Sequence, residues 1–155
     1  MLFTEKKIEN VAFSQIKLSE LEKGDSIMFY VGMFVDRNSQ DYGDFKVVEG
    51  LKLDKDSASV KQLIASAEGA SFIPNTLILN MIEEKKFRDG VLYRIEKAWN
   101  KDDKFSSGKK AKGYGYTVYE LTTNGEITKP LRDKFLELKS GQENEPNPFD
   151  DGEEL

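Results

Sequence analysis

Runs of apolar residues separated by turn formers most constrain what this chain can fold into. Ile27 to Val35 is dense in β-branched and aromatic residues and follows a short polar lead-in, Leu18 to Asp25, that ends in a turn at Gly24-Asp25. Turn formers fill Asp36 to Gly43, after which Phe45 to Leu53 resumes a β pattern interrupted by Gly50. The spacing predicts a hairpin with a bulge or second turn at Gly50. Pro74-Asn75 then opens the apolar stretch Thr76 to Ile82, Asp89-Gly90 marks a turn, and Val91 to Trp99 is another strand. After a loop rich in Lys, Ser and Gly from Asn100 to Gly113, Tyr114 to Leu121 alternates large and polar residues as a half-buried strand does. Residues 8–16 match neither a helical nor a strand period and leave both open.

Helical signals are fewer. Between Asp56 and Gly69, Val60, Leu63, Ile64 and Ala67 recur at helical spacing behind a polar cap, with Gly69 placed as a stop. Asn124-Gly125 reads as a turn, and Pro130 to Leu138 as a short final helix. Five or so strands with one helix in the middle need their edges protected, and a sheet closed on itself does that. The expected fold is therefore mainly β: a five-stranded barrel with one short helix. A chain of 155 residues supports one such core without disulfides or metal. The division expected is a domain over 1–139 and an acidic appendage over 140–155.

Composition removes whole classes of chemistry. With no Cys and no His, the chain has no thiol nucleophile, no Ser-His or Cys-His pair, and no thiolate or imidazole zinc site. Carboxylate pairs such as Glu83-Glu84 and Asp102-Asp103 are adjacent in sequence and diverge, and no phosphate-binding Gly-rich loop with Lys-Ser/Thr occurs. A binding protein without cofactor or metal is expected, rather than an enzyme. No run of about 18 apolar residues spans a bilayer, and Met1 to Phe13 lacks the order of a signal peptide, so a cytoplasmic protein is expected.

The net charge of -5 conceals a strong asymmetry. Residues 141–155 hold six carboxylates and no Lys or Arg, leaving 23 basic against 22 acidic residues in the rest. Within that rest, 85–113 carries ten basic and four acidic residues. A basic segment joined to a detached acidic tail is a pattern that accompanies polyanion binding, and the tail's low hydrophobicity argues for disorder from Ser140 onward.

The basic segment is interleaved with rings. Lys101, Lys104, Lys109, Lys110 and Lys112 alternate with Trp99, Phe105, Tyr114 and Tyr116, and Gly108, Gly113 and Gly115 allow close backbone approach. Single strands are held without sequence preference by this chemistry, cations along the phosphates and exposed rings under the bases. A solvated hairpin loop is the plain alternative for the lysines. On the first strand Tyr30 and Phe34 share a face across Gly32, which would leave a flat floor for a base, with Arg37 at the mouth; Phe34 in the core is the competing reading. Arg94 can reach a phosphate or pair with Glu96 or Asp89.

The combination of Gly24-Asp25 running into Ile27 to Val35, Asp41 to Phe45, Tyr93-Arg94-Ile95 with Trp99, Gly108 to Tyr116 and the tail resembles the phage-encoded single-stranded DNA-binding proteins of the OB-fold kind. The resemblance implies an OB-like barrel, a groove for single-stranded DNA, and a place in DNA replication, recombination or repair in the host cytoplasm. It also places Tyr42 and Phe45 at a hairpin that touches the strand. The tail, with Phe149, Asp150, Asp151, Glu153, Glu154 and Leu155, resembles the acidic tip of bacterial single-stranded DNA-binding proteins, which recruits replication or recombination proteins. Here Pro148-Phe149 precedes the acids instead of following them, which favours a dedicated partner. A protein-docking scaffold and a cold-shock-like binder of single-stranded RNA are the other readings of the same surface.

Overall fold

The computed structural model describes Leu2, residues 13–41 and residues 43–144. Its elements run β1 (Ser14–Gln15), a 3-10 turn (Leu18–Glu20), β2 (Ser26–Ser39), β3 (Gly43–Leu53), α1 (Val60–Ser66), β4 (Glu68–Phe72), α2 (Thr76–Glu83), β5 (Leu92–Trp99), β6 (Gly115–Leu121) and α3 (Gly125–Asn144). The six strands form one mixed sheet in the order β1-β4-β3-β2-β5-β6, with β1 parallel to β4 and the other pairs antiparallel.

The expected five-stranded OB-like barrel is therefore overturned. The sheet is open, with β1 at one edge and β6 at the other, and three α-helices accompany it. Helices replace closure as the means of burial. One apolar cluster joins Phe29, Val31, Val48, Phe72, Tyr93 and Ile95 to Ile78 of α2 and to Phe87. The other joins Tyr30, Leu51, Leu53 and Leu92 to Leu63 of α1, to Leu131 and Phe135 of α3, and to Phe13. With both faces covered, the sheet buries its strands without curling shut, and β1 blunts its edge by being only two residues long.

The departures have local causes. Thr76 to Ile82 forms a helix because the Asn75 side chain accepts the Ile78 N–H at 2.9 Å, and Ile78, Met81 and Ile82 then fall on one stripe. Ser59 caps α1 in the same way, accepting from the Gln62 N–H at 3.1 Å, and the helix ends at Ser66 rather than Gly69. That early stop frees Glu68–Phe72 to pair with β3, a strand whose small residues give little β signal. Asn124-Gly125 starts α3 instead of forming a separate turn ahead of it: Asn124 Oδ1 accepts the Glu126 N–H at 3.0 Å, and the helix runs on through 140–144.

Gly50 stays in the ladder, opposite Val31, while the irregularity falls across from it between Val31 and Met33. The extra residue, Gly32, inverts the alternation of β2. Before it, Ile27, Phe29 and Val31 face α2 while Met28 and Tyr30 face α1 and α3; after it, Met33 turns to α1 and α3 and Phe34 to α2.

Candidate nucleic-acid interface

Between β5 and β6 the chain makes a small hairpin with its own hydrogen bonds, where the sequence reads as a loop. The Asp102 N–H donates to Ala111 C=O at 2.9 Å, the Ala111 N–H to Asp103 C=O at 2.8 Å, and the Phe105 N–H to Lys109 C=O at 2.9 Å. Lys104 and Lys110 form an isolated antiparallel bridge, and Gly108 closes the tip at φ +85°. Asp103 is spent on the base of this hairpin. Its carboxylate accepts the Asn100 N–H at 2.8 Å and lies 3.2 Å from Lys23, and these contacts, the amide first, hold its pKa below the ordinary carboxylate value.

Lys101, Lys104, Lys109, Lys110 and Lys112 are all exposed on the hairpin, and none has a carboxylate within 4.0 Å among the described residues. Five cations thus share one projection with two aspartates. The rings beside them are open to solvent: Trp99 is 37% exposed, Phe105 40% and Tyr114 47%. Trp99 meets Phe105 edge-on at 5.2 Å and lies on the backbone of Gly115, where a Cβ would come within 2.0 Å of the indole. Glycine is the one residue that lets this ring lie down on β6.

Tyr114 is positioned from beneath. The Lys97 ammonium sits 4.3 Å from its ring centre and donates to Ser19 C=O at 2.6 Å, and Lys97 as a whole is buried. Lys97 is not among the expected site residues, although it stands in phase with the buried Tyr93 and Ile95 on β5. Tyr116 packs against the α2-side core, where burial, and secondarily Tyr114, raise its pKa, so it remains a neutral phenol.

Tyr114 and Tyr116 line a cleft of about 400 Å³ completed by Gln15 to Ser19, Ile73 and Asn75. A second cleft, about 470 Å³, shares Gln15 and Ile73 with the first and runs to Arg37 and Phe45. The two make one groove along the β1 and β4 edge. Arg37 and Phe45 are cross-strand partners at the end of the β2–β3 hairpin, so these two expected residues do come together. Arg37 is exposed and lies 4.0 Å from Glu49, a buried carboxylate that also accepts from Lys139 at 2.8 Å. Tyr42 lies outside the described residues, as do Phe149, Asp150, Asp151, Glu153, Glu154 and Leu155.

Two expected contacts move away from the groove. Tyr30 is 2% exposed and packs toward α1 and α3, whereas Phe34, half-buried, approaches Phe87 at 6.4 Å on the opposite face. The bulge separates the pair that unbroken alternation puts together. The flat floor at Gly32 exists but belongs to the chain itself: a Cβ there would lie 2.4 Å from the Phe135 ring. Arg94 takes the ion-pair alternative, 3.1 Å from Glu96, with its guanidinium 4.0 Å over Tyr119.

Among the described residues no group of three potential ligands could hold a metal ion, and no helix is long and apolar enough to cross a membrane. No family model, curated protein or solved structure matches this chain.

Proposed function

We propose that the protein binds single-stranded DNA, chiefly through phosphate and stacking contacts, and shields it during replication, recombination or repair. The observation that carries this reading is the set of five lysines on one hairpin, none with a carboxylate within 4.0 Å among the described residues, beside three exposed rings. Cations spaced along a projection follow a phosphate backbone, and ring faces accept any unstacked base. Duplex DNA, whose bases are already stacked, gains only the first contribution.

Titrating the fluorescence of Trp99 and the tyrosines with oligo-dT, oligo-U and duplex DNA at two salt concentrations tests it. Oligo-dT should quench, with affinity falling as salt rises and duplex binding weakly. Equal affinity for duplex, or no binding to any of the three, rejects the reading in favour of a protein-docking scaffold. Tighter binding of oligo-U than oligo-dT moves the function to RNA.

The acidic tail supports a second part of the same proposal, recruitment of a replication or recombination protein through Phe149 and the neighbouring carboxylates. Residues 145–155 carry five of the tail's six carboxylates and lie beyond α3. Tethered to the body, they reach an effective concentration of about 1 mM, enough to halve the occupancy of any site they hold with millimolar affinity. Deleting 145–155 should therefore tighten strand binding about twofold, more at low salt where screening is weakest. Phe149→Ala removes no charge and should leave strand affinity alone while abolishing partner capture. A deletion that leaves low-salt affinity unchanged disproves the competition.

A further inference from the structure

We propose that the open edge of β6 is an interface on which a second copy of this chain pairs antiparallel, about a two-fold axis beside Val118, so that two six-stranded sheets become one. The inference stands apart from the strand-binding reading, since the edge is there whatever the hairpin holds. β6 ends the sheet on one side and pairs with β5 alone. No other backbone hydrogen bond reaches Gly115–Leu121 among the described residues.

Which groups are left over follows from β5. The Lys97 N–H donates to Asp25 C=O at 3.0 Å and the Lys97 C=O accepts the Gly24 N–H at 2.8 Å, so Lys97 spends both groups on the β2 side. Alternation along β5 then turns Glu96, Arg94 and Leu92 toward β6, where they meet Thr117, Tyr119 and Leu121. Tyr116, Val118 and Glu120 therefore aim their N–H and C=O groups outward. These groups complement themselves. With Val118 opposite Val118 of the second copy, that pair exchanges both bonds, and Tyr116 of each chain does the same with Glu120 of the other, so every outward group is satisfied.

The strand also lacks what keeps other edges alone. Natural edges are blunted by shortness, lysine, proline or a bulge. β1 is two residues long, whereas β6 has seven, with no Lys, Arg or Pro among them, and the irregularity beside its start puts its extra residue on β5. Charge selects the occupant. The one charged residue of β6, Glu120, is paired with Arg88 at 2.7 Å, and in the two-fold register it faces Tyr116 instead of another carboxylate. A phosphate backbone or the chain's own acidic tail would bring negative charge to an edge that holds a carboxylate and no cation. A second β6 brings a carboxylate already neutralised within its own chain. Between the copies Thr117 falls opposite Tyr119, 39% exposed, in the closer kind of cross-strand pair.

Sedimentation equilibrium of the full chain over a range of concentrations tests the pairing, and a species of twice the chain's mass is expected. In that species the amides of Tyr116, Val118 and Glu120 should gain protection from hydrogen exchange and lose it on dilution, while Thr117 and Tyr119, already bonded to β5, should not change. Val118→Pro removes an N–H that β5 does not use, so the fold should hold and the dimer, short of its two central bonds, should weaken roughly thirtyfold. Thr117→Lys with Tyr119→Lys sets like charges opposite each other, as does Thr117→Glu with Tyr119→Glu; each protein should be monomeric alone, and a mixture of the two should dimerise. A chain that is monomeric at every concentration overturns the proposal, as does a dimer that survives Val118→Pro or leaves the three amides unprotected. Protection that persists on dilution to the monomer gives the edge to the chain's own tail and overturns it too.

Discussion

Replacing Lys109, Lys110 and Lys112 with alanine is expected to cut affinity for single-stranded DNA about a hundredfold at 0.1 M salt. Each cation on a phosphate contributes a slope of roughly 0.7 in log affinity against log salt, so three contribute about 2, or two decades between 1 M and 0.1 M. The three side chains are exposed, and none is paired with a carboxylate among the described residues, so folding is expected to survive unchanged. The hairpin's own hydrogen bonds are backbone contacts that alanine retains. The slope decides the matter. Affinity that falls without any change in salt dependence means that the lysines act by shaping the hairpin, and an unchanged affinity places the phosphate track elsewhere. Arg37 is the control, because it already faces Glu49 at 4.0 Å, and Arg37→Ala should change the slope by less than one full contact.

Gly50→Ala is expected to be the most destabilising glycine-to-alanine change in the sheet. A Cβ at this position would lie 1.8 Å from Tyr30 C=O and 2.7 Å from the Phe29 ring, so backbone has to move, and it moves in the central β2–β3 pair. Overpacking usually costs about 1–3 kcal/mol where a side chain can yield; with a carbonyl in the way the loss should exceed roughly 4 kcal/mol. Urea unfolding followed by far-UV dichroism measures it. Gly125→Ala, where a Cβ meets nothing within 4 Å, should be neutral or stabilising by up to about 1 kcal/mol. A small effect at Gly50 means that β2 can slide past it, and that the register about the bulge is not unique.

The bulge also explains why the hairpin side of the site is legible in the sequence and the fate of Tyr30 and Phe34 is not. Trp99, Phe105, Tyr114 and the five lysines lie close in sequence, so their association follows from a single hairpin, and spacing suffices to find them. Unbroken alternation puts Tyr30 and Phe34 on one face, and Gly32 breaks it. Nothing local in Tyr-Val-Gly-Met-Phe says whether the glycine is in register or extra. Phe135, distant in the chain, fills the space above it. Gln15 and Ile73 reach the cleft only through the pairing of β1 with β4, a contact with no signature in its own neighbourhood, whereas Asn75 ahead of an apolar stretch is a local cap signal.

The sequence by itself determined the charge asymmetry, the absence of thiol and imidazole chemistry, the β2–β3 hairpin, the helix about Leu63 and the strands β5 and β6. These depend on composition or on periods within one segment. Only the tertiary structure decided that the sheet stays open and that a buried lysine supports the ring lining the cleft. Closure and helical cover are both ways to bury the apolar faces of a sheet. The choice between them rests on non-local packing, Phe135 on Gly32 and Ile78 beneath β2 and β5, which no single stretch of the chain contains.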